Sequence, residues 1–524
     1  MEKKKTFIII AVALLVLSIG ITFAYFIAKT GPGSSANANV TTGTVDDLKF
    51  NVSKENISLN INQFNFASGS GNITDTVTAT ASLKANSTKN TATYNYYVYF
   101  QIESNNYAYT TTDKKPEIVL SITGPNGEIT SVDGLKYVSA TNADGTIVKG
   151  FDITEQSSSV IKIADSFEIS STSSTNYTNQ DWVFKVSFIN LDTNQADNEG
   201  KNLTGKALIQ QEEIKPTLAD YVISQYTGTQ GENSIYHHDA SLTNGAEDNS
   251  YRFAGANPNN YVCFGSDEAT CPTENLYRII GLIDGKVKLI LADGATTTML
   301  GTDEGYVQTY GSSSSYKGNG DLTKIGRYKW NKINNNTWST STTNTINLNT
   351  NFLTYLDSKN TKWKNMIADT TWYVGGMNFA NGRDSNAKTA YNYEVGANKN
   401  AKTTVNAKIG LMYVSDYGFA AAPSAWTTIL NNYNDATIKN ENWLYIGLYE
   451  WTISRTSDVS GLNFAVSDVG HVSVVDVDTS NGLVARPSFS LSSSIKFTSG
   501  EGTVENPIRV NLWLGDYACL GRKG

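Results

Sequence analysis

The sequence predicts a mainly β chain with some α structure, arranged as an N-terminal transmembrane or signal helix, a β-sandwich domain and a mixed α+β domain. Three observations lead there. An uncharged run from Phe7 to Ala28 follows Lys3, Lys4 and Lys5 and stops before Lys29. Several downstream segments alternate apolar and polar residues with period two, the pattern of a strand with one buried face. Charged residues make up only 17% of the 524, while Asn, Ser, Thr, Gly and Tyr fill long stretches, as suits an exported β protein.

The leader spans residues 1–28. At about 1.5 Å rise per residue its apolar run makes a helix of about 33 Å, enough to cross a hydrocarbon core of about 30 Å. The lysines should stay cytoplasmic, which places the remainder outside the cell, either released or held at the surface by a single membrane pass with the C-terminus outside. Small residues in Ile21-Thr22-Phe23-Ala24 fit signal-peptidase cleavage between Ala24 and Tyr25, whereas the apolar continuation to Ala28 fits a retained anchor, so both fates stay open. The pattern Gly20-Ile21-Thr22-Phe23-Ala24-Tyr25-Phe26 resembles the leader signal of the camelysin and biofilm matrix-fibre family of Gram-positive bacteria. That resemblance implies processing by a dedicated peptidase and a secreted surface or fibre-forming module.

Residues 29–45, rich in Gly, Pro, Ser, Ala and Asn, read as a flexible spacer. A β-sandwich is expected over 46–212. Thr93 to Glu103 sets Tyr94, Tyr96, Val98, Phe100 and Ile102 against Asn95, Tyr97, Tyr99, Gln101 and Glu103, and Trp182, Phe184, Val186 and Phe188 repeat the alternation. Shorter runs at Val77 to Leu83, Glu117 to Ile122, Gly150 to Ile153, Val160 to Ile163 and Ala207 to Gln210 complete the set, with turns at Pro125-Asn126-Gly127 and Ala143-Asp144-Gly145. Tyr94-Asn95-Tyr96-Tyr97-Val98-Tyr99-Phe100 extends the resemblance to the matrix-fibre sandwich. In fibre-forming members an N-terminal strand pairs with the next subunit, which would fall on Phe50 to Phe66 here; the simpler assignment makes that segment the domain's own first strand. The region has no histidine, so a metallopeptidase activity described for some camelysin relatives is not carried over.

Pro216 and the amphipathic stretch Leu218 to Tyr226 mark residues 213–245 as a helical linker, followed by a Trp-rich α+β domain over 246–510 and a tail over 511–524. Eight of the nine tryptophans lie after residue 246. Leu276 to Leu282 and Lys286 to Leu291 read as a hairpin around Asp284-Gly285, and Asn351 to Ala368 as the main helical region. Cys263 and Cys271 flank a polar turn and are expected to form a disulfide outside the cell, one that pins a local hairpin for about 2 to 3 kcal/mol by loop-closure reasoning. Cys519 is left over as a free thiol in the tail.

Lys408 to Gly418, Trp443 to Arg455 and Arg486 to Phe489 form an ordered series that resembles an uncharacterised C-terminal module of bacterial surface proteins and, more distantly, the C-type-lectin-like and formylglycine-generating-enzyme group, in which Glu-Trp-Thr and an Arg-centred strand close the core. The enzyme members' cysteine pair has no match near Glu450 to Phe489, so oxidative chemistry is not implied. Glu450 with Arg455 and Arg486 is expected to make a buried structural ion pair. The candidate ligand-binding residues are Asp416, Trp426, Trp443, Glu450 and Trp451, because indole faces stack on sugar rings while acids bond hydroxyls; a core role is the plainer use of the same indoles.

These features give an exported cell-surface protein with an adhesive, ligand-binding or extracellular-matrix structural role, without a catalytic constellation. A cell-envelope glycan hydrolase is the alternative from another class. It would require two open carboxylates about 5 to 9.5 Å apart, with Asp416 and Glu450 the only nominees. A fibre subunit assembled by strand addition is the third reading. The expected partners are the membrane, if the leader is kept, a glycan or surface protein, and other copies of the chain. A net charge of −8 with no basic cluster after the leader speaks against nucleic acid. No metal or cofactor is expected. Asp476, Asp478 and Ser480 are spaced like the start of a calcium loop, but Gly482 comes one place late and Pro487 stands where a bidentate acid would close the shell, so calcium there is the alternative left open. His237, His238 and Asp239 adjoin in sequence and point apart on an extended backbone.

Overall fold

The computed structural model describes residues 45–512 apart from 63, 64, 67, 68, 70, 157 and 397–402. The leader with Ala24 and Tyr25, most of the spacer and Cys519 lie outside the described residues. Strand accounts for 37% and helix for 18%, so the chain is mainly β. Among the described residues no helix is long and apolar enough to cross a membrane. Two compact units divide the chain near Ile214 and Lys215.

In the first unit the strands are β1 (Asp47–Val52), β2 (Ile57–Asn60), β3 (Ile73–Lys84), β4 (Ala92–Asn105), β5 (Ile118–Gly124), β6 (Gly127–Glu128), β7 (Tyr137–Thr141), β8 (Ile147–Asp152), β9 (Ser159–Ser171), β10 (Thr178–Phe188) and β11 (Asn202–Gln210). One sheet runs β1-β3-β10-β5-β8-β7 with β6 folded back on β5, and a second runs β2-β11-β4-β9. Side-chain alternation explains the layering. The buried set Tyr96, Val98, Phe100 and Ile102 of β4 joins Trp182, Phe184, Val186 and Phe188 of β10 in one core, and Phe100 stacks on Phe184 at 5.6 Å between ring centres. Each tight turn uses left-handed backbone where the sequence supplies glycine, as at Gly127 and Gly145. The segment Phe50 to Phe66 is not one strand. It contributes β1 to the edge of one sheet, paired with β3, and β2 to the edge of the other, paired with β11, so both serve as strands of their own unit.

Strands of the second unit are β12 (Ile235–His237), β13 (Tyr251–Phe253), β14 (Tyr261–Cys263), β15 (Leu276–Ile283), β16 (Lys286–Leu291), β17 (Tyr306–Thr309), β18 (Gly326–Tyr328), β19 (Thr370–Val374), β20 (Thr403–Ala407), β21 (Glu450–Arg455), β22 (Leu462–Val466), β23 (Val472–Asp476), β24 (Ser488–Ser490), β25 (Ile495–Ser499) and β26 (Ile508–Leu512). The main sheet runs β12-β13-β15-β14-β26-β25, with β16 bridging β15 to β24. β14 and β26 pair in parallel, which joins the last strand to an early one. Smaller sheets are β17-β18, β19-β20 and β21-β22-β23. The β15–β16 turn places Asp284 and Gly285 at φ 50° and 69°, the geometry that a two-residue hairpin demands.

Two boundaries differ from expectation. The stretch 213–245 is not a linker. Its helix Leu218–Ser224, capped reciprocally by Thr217 and Asp220, buries Leu218 and Val222 in the second unit's core and stacks Tyr221 on Phe497 of β25 at 4.1 Å. The i, i+4 spacing of Leu218 and Val222 gives it one apolar face, and burying that face against the sheet recruits the segment to the second unit. The main helical region also starts earlier than Asn351, with a wide π-helix over Thr343–Phe352 running into helices Leu353–Lys359 and Thr361–Met366. Asparagine side chains tie this π-helix to neighbouring loops, Asn347 Nδ2 to the Leu300 carbonyl at 3.0 Å and Asn349 Nδ2 to the Ile409 carbonyl at 2.9 Å.

Trp182 is fully buried and its indole N–H donates to the Tyr96 hydroxyl at 2.9 Å. Trp182→Ala should lower the stability of the first unit by about 3 to 5 kcal/mol, whereas Trp182→Phe, which keeps most of the packing, should cost clearly less. Urea unfolding followed by circular dichroism checks this, and equal losses for both variants would contradict the packing argument.

Candidate functional site

Charged groups buried in the second unit define its chemistry. Glu450 opens β21 beside Arg486, with Nη2 of Arg486 2.7 Å from Oε1 and Nε 2.5 Å from Oε2, a two-pronged fork. The same Nη2 also donates to the Leu444 carbonyl at 2.8 Å. Both side chains are about 2% exposed or less. A parallel bridge between Glu450 and Val484 and the bond from Trp451 N–H to the Val484 carbonyl set the register that makes the fork possible. Burial pushes the Glu450 carboxyl up, and the Arg486 guanidinium pulls it back toward the charged form.

Arg455 does not join this pair. Its guanidinium reaches Asn336 Oδ1 at 3.5 Å and Thr403 Oγ1 at 3.3 Å. Glu450 and Arg455 stand an odd number of residues apart on β21 and so face opposite sides, and a bulge between Trp451 and Arg455 turns the arginine further away.

Asp416 lies in the first turn of helix Val414–Ala420, where its Oδ2 accepts the Tyr413 N–H at 2.9 Å and the Lys288 Nζ at 2.5 Å. Arg252 Nη1 stands 3.5 Å from Oδ1 and is itself held by Asp248 at 2.8 Å and Ser250 at 2.8 Å. Glu394, at the end of helix Ala387–Glu394, spans the same turn. Its oxygens accept the N–H groups of Val414 at 3.0 Å and Ser415 at 2.9 Å, and the Ser454 hydroxyl. Burial raises the Glu394 carboxyl from its ordinary 4.5 to about 7, against the lowering effect of these hydrogen bonds. Lys288, Arg252 and Glu394 did not stand out in the sequence. The one available signal was a lysine inside the apolar run Val287-Lys288-Leu289-Ile290-Leu291.

The nominated acids therefore form no open pair. Asp416 and Glu450 are buried, each committed to its own cation, and neither faces a groove as glycoside hydrolysis requires. The indoles are likewise inside. Trp426, Trp443 and Trp451 are 0%, 4% and 1% exposed, and their N–H groups donate to the carbonyls of Ala421, Phe253 and Tyr328 at 2.9, 2.8 and 2.7 Å. Trp443 also carries the Arg278 guanidinium on its face at 4.5 Å. Trp443 also borders a small cleft of about 60 Å³, together with Tyr261, Arg278 and Asp293. Packing claims these faces because a β-rich core of this size needs large apolar bodies, and each buried indole N–H finds a carbonyl.

The Cys263–Cys271 disulfide is formed, with Cα atoms 5.8 Å apart. It borders a cleft of about 410 Å³ lined by Asp267, Glu268, Lys362 and Arg509. Lys362 pairs with Asp267 at 2.5 Å, and Arg509 donates to the Ala269 carbonyl at 2.8 Å, so the disulfide loop's own groups satisfy these cations. The loop after Asp476 closes on itself through Thr479 N–H to the Asp476 carbonyl and Gly482 N–H to the Thr479 carbonyl. His237 stacks on Tyr251, while His238 is buried against Phe419 and accepts the Ala246 N–H at Nδ1. Burial, aided by nearby Arg252, pushes His238 down from 6.5 to about 3. Comparison with protein-family models, with curated proteins and with solved structures finds no match.

Two measurements follow from these groups. Removing Arg486 leaves Glu450 buried and unpaired, so Arg486→Met should cost about 3 to 5 kcal/mol, with the Glu450→Gln, Arg486→Met double variant recovering part of the loss in chemical denaturation. The pH dependence has two opposing limbs. His238 is depressed in the folded protein, so its contribution is complete above pH 6.5 and is lost as pH falls toward about 3. Glu394 is raised, so its contribution is complete below 4.5 and is lost as pH rises through about 7, by roughly 3 kcal/mol. Stability against pH for Glu394→Gln should lose the decline between 4.5 and 7, and His238→Phe the decline on the acid side; unchanged profiles would refute both assignments.

Proposed function

We propose that the chain is an exported cell-surface protein with a structural, matrix-building or adhesive role. The observation that carries this reading is the Cys263–Cys271 disulfide in a chain that starts with a lysine-flanked apolar leader, since such bridges persist in oxidising compartments. The polar, weakly charged composition supports it, as does the resemblance of the leader to that of the matrix-fibre family. A structural role is favoured over sugar binding because the tryptophans nominated as ring platforms are spent on the core. The first unit is read as a β-sandwich from its two sheets on one core, and the second as distantly C-type-lectin-like from Glu450-Trp451-Thr452 closing on Arg486.

Fractionation of expressing cells combined with thiol labelling tests the proposal. The protein should appear in the surface or extracellular fraction, and Cys263 and Cys271 should become alkylatable only after reduction. Recovery from the cytosol with Cys263 labelled in native protein would overturn it.

A further inference from the structure

We propose that Lys288 and Asp416 condense into an intramolecular isopeptide bond, an amide between Nζ and Cγ, with Glu394 carrying the proton and Arg252 steadying the carbonyl oxygen. Nothing about this step depends on a bound ligand or on the proposed location of the protein.

The geometry is that of two reactants held in contact. Lys288 Nζ is 2.5 Å from Asp416 Oδ2, and the side chains are 7% and 3% exposed. Lys288 projects from the central strand β16, whose neighbours on both sides are paired, and Asp416 is fixed by the Tyr413 N–H in its helical turn. Neither can drift from the other, and such fixed proximity replaces a bimolecular encounter by an effectively unimolecular one. The Tyr413 and Trp372 rings lie 4.5 and 5.4 Å from Nζ and keep water from the amine. Desolvation lowers the Lys288 ammonium from its ordinary value, with Asp416 opposing, and so favours the neutral nucleophile.

The neighbouring buried acid is Glu394. Glu394 accepts the N–H groups of Val414 and Ser415, the two residues just before Asp416, so both carboxyls sit on one turn. It interacts electrostatically with Lys288 and with Asp416. Lifted to about 7 by burial, it is a carboxylic acid that exchanges a proton near neutral pH. Arg252 Nη1, 3.5 Å from Oδ1, stands where the carbonyl oxygen becomes negative during attack.

The balance is simple. The ammonium passes a proton to the Asp416 carboxylate, the freed amine attacks Cγ, and a tetrahedral intermediate forms with its negative oxygen toward Arg252. Glu394 gives a proton to the departing hydroxyl and recovers one from the nitrogen. One C–N bond forms, one C–O bond breaks, and one water leaves. No oxidant, metal or second substrate takes part.

Peptide mapping of the full chain decides the matter. Purified protein is reduced, denatured, digested and read by tandem mass spectrometry. The expected result is a branched peptide that joins the segments containing Lys288 and Asp416 and weighs one water less than their sum. Lys288→Arg and Asp416→Ala should abolish it, and Glu394→Gln should slow its formation by roughly a hundredfold or more. The cross-linked chain should also run faster than the Lys288→Arg variant on a reducing denaturing gel, because the bond closes a loop across a sequence separation of 128. Recovery of both segments from the wild-type protein only as separate, unmodified linear peptides overturns the proposal, whatever the variants do.

Discussion

Ions taken out of water must be matched inside, and that constraint organises the second unit. Moving a carboxylate or guanidinium into a low-dielectric interior costs several kcal/mol even after relaxation, and pairing repays this only with close geometry and further hydrogen bonds. Arg486 meets the condition through two contacts with Glu450 and one with the Leu444 carbonyl. Arg252 is held by Asp248, Ser250 and Asp416. Asp248 and Ser250 are local to Arg252, but Asp416, Glu450 and Leu444 reach their arginines from distant segments, and satisfying those pairs fixes how the short strands and helices between them are placed. The many loops of this unit can be irregular because their ends are tied by charge-assisted bonds rather than by long strand ladders.

The first unit solves the same problem with almost no buried charge. Its core is aromatic and aliphatic, and the one fully buried acid among the described residues, Glu117, is met by neutral donors from Gln195 and Asn198 at 2.7 and 2.8 Å. Long strands supply the order instead: β3 and β10 pair over eleven consecutive positions, from Ile73 with Phe188 to Leu83 with Thr178. A one-residue slip there would turn every apolar side chain outward, so register is set by the alternation itself.

That contrast explains what could be read from the sequence. Period-two alternation places β4 and β10, and Asp284-Gly285 places the β15–β16 hairpin, because both signals are local and their physical cause lies within a few residues. The cysteine pair is legible for the same reason. The helix Leu218–Ser224 is also visible, but not which unit it serves, since that depends on Phe497, far along the chain. The π-helix Thr343–Phe352 is hidden because Thr and Asn are poor helix formers and the stabilising bonds from Asn347 and Asn349 run to distant carbonyls. Glu394 and Lys288 are hidden for the same reason: their roles arise only when Asp416 is brought between them. Glu450 with Arg486 is legible in the series around Trp451, whereas the place of Arg455 depends on strand alternation and on the irregularity of β21 after Trp451, which composition does not show.

The burial of the three indoles bears on how the second unit is held together. Trp443 and Trp451 each spend their N–H on a backbone carbonyl of a distant segment and so brace two parts of the chain, while Trp426 ties its own loop through the Ala421 carbonyl five residues earlier. Detaching any of these indoles would break its hydrogen bond and open the core packed around it. The disulfide follows the same logic on a shorter scale: it fastens the segment through Cys271 to the end of β14 at Cys263.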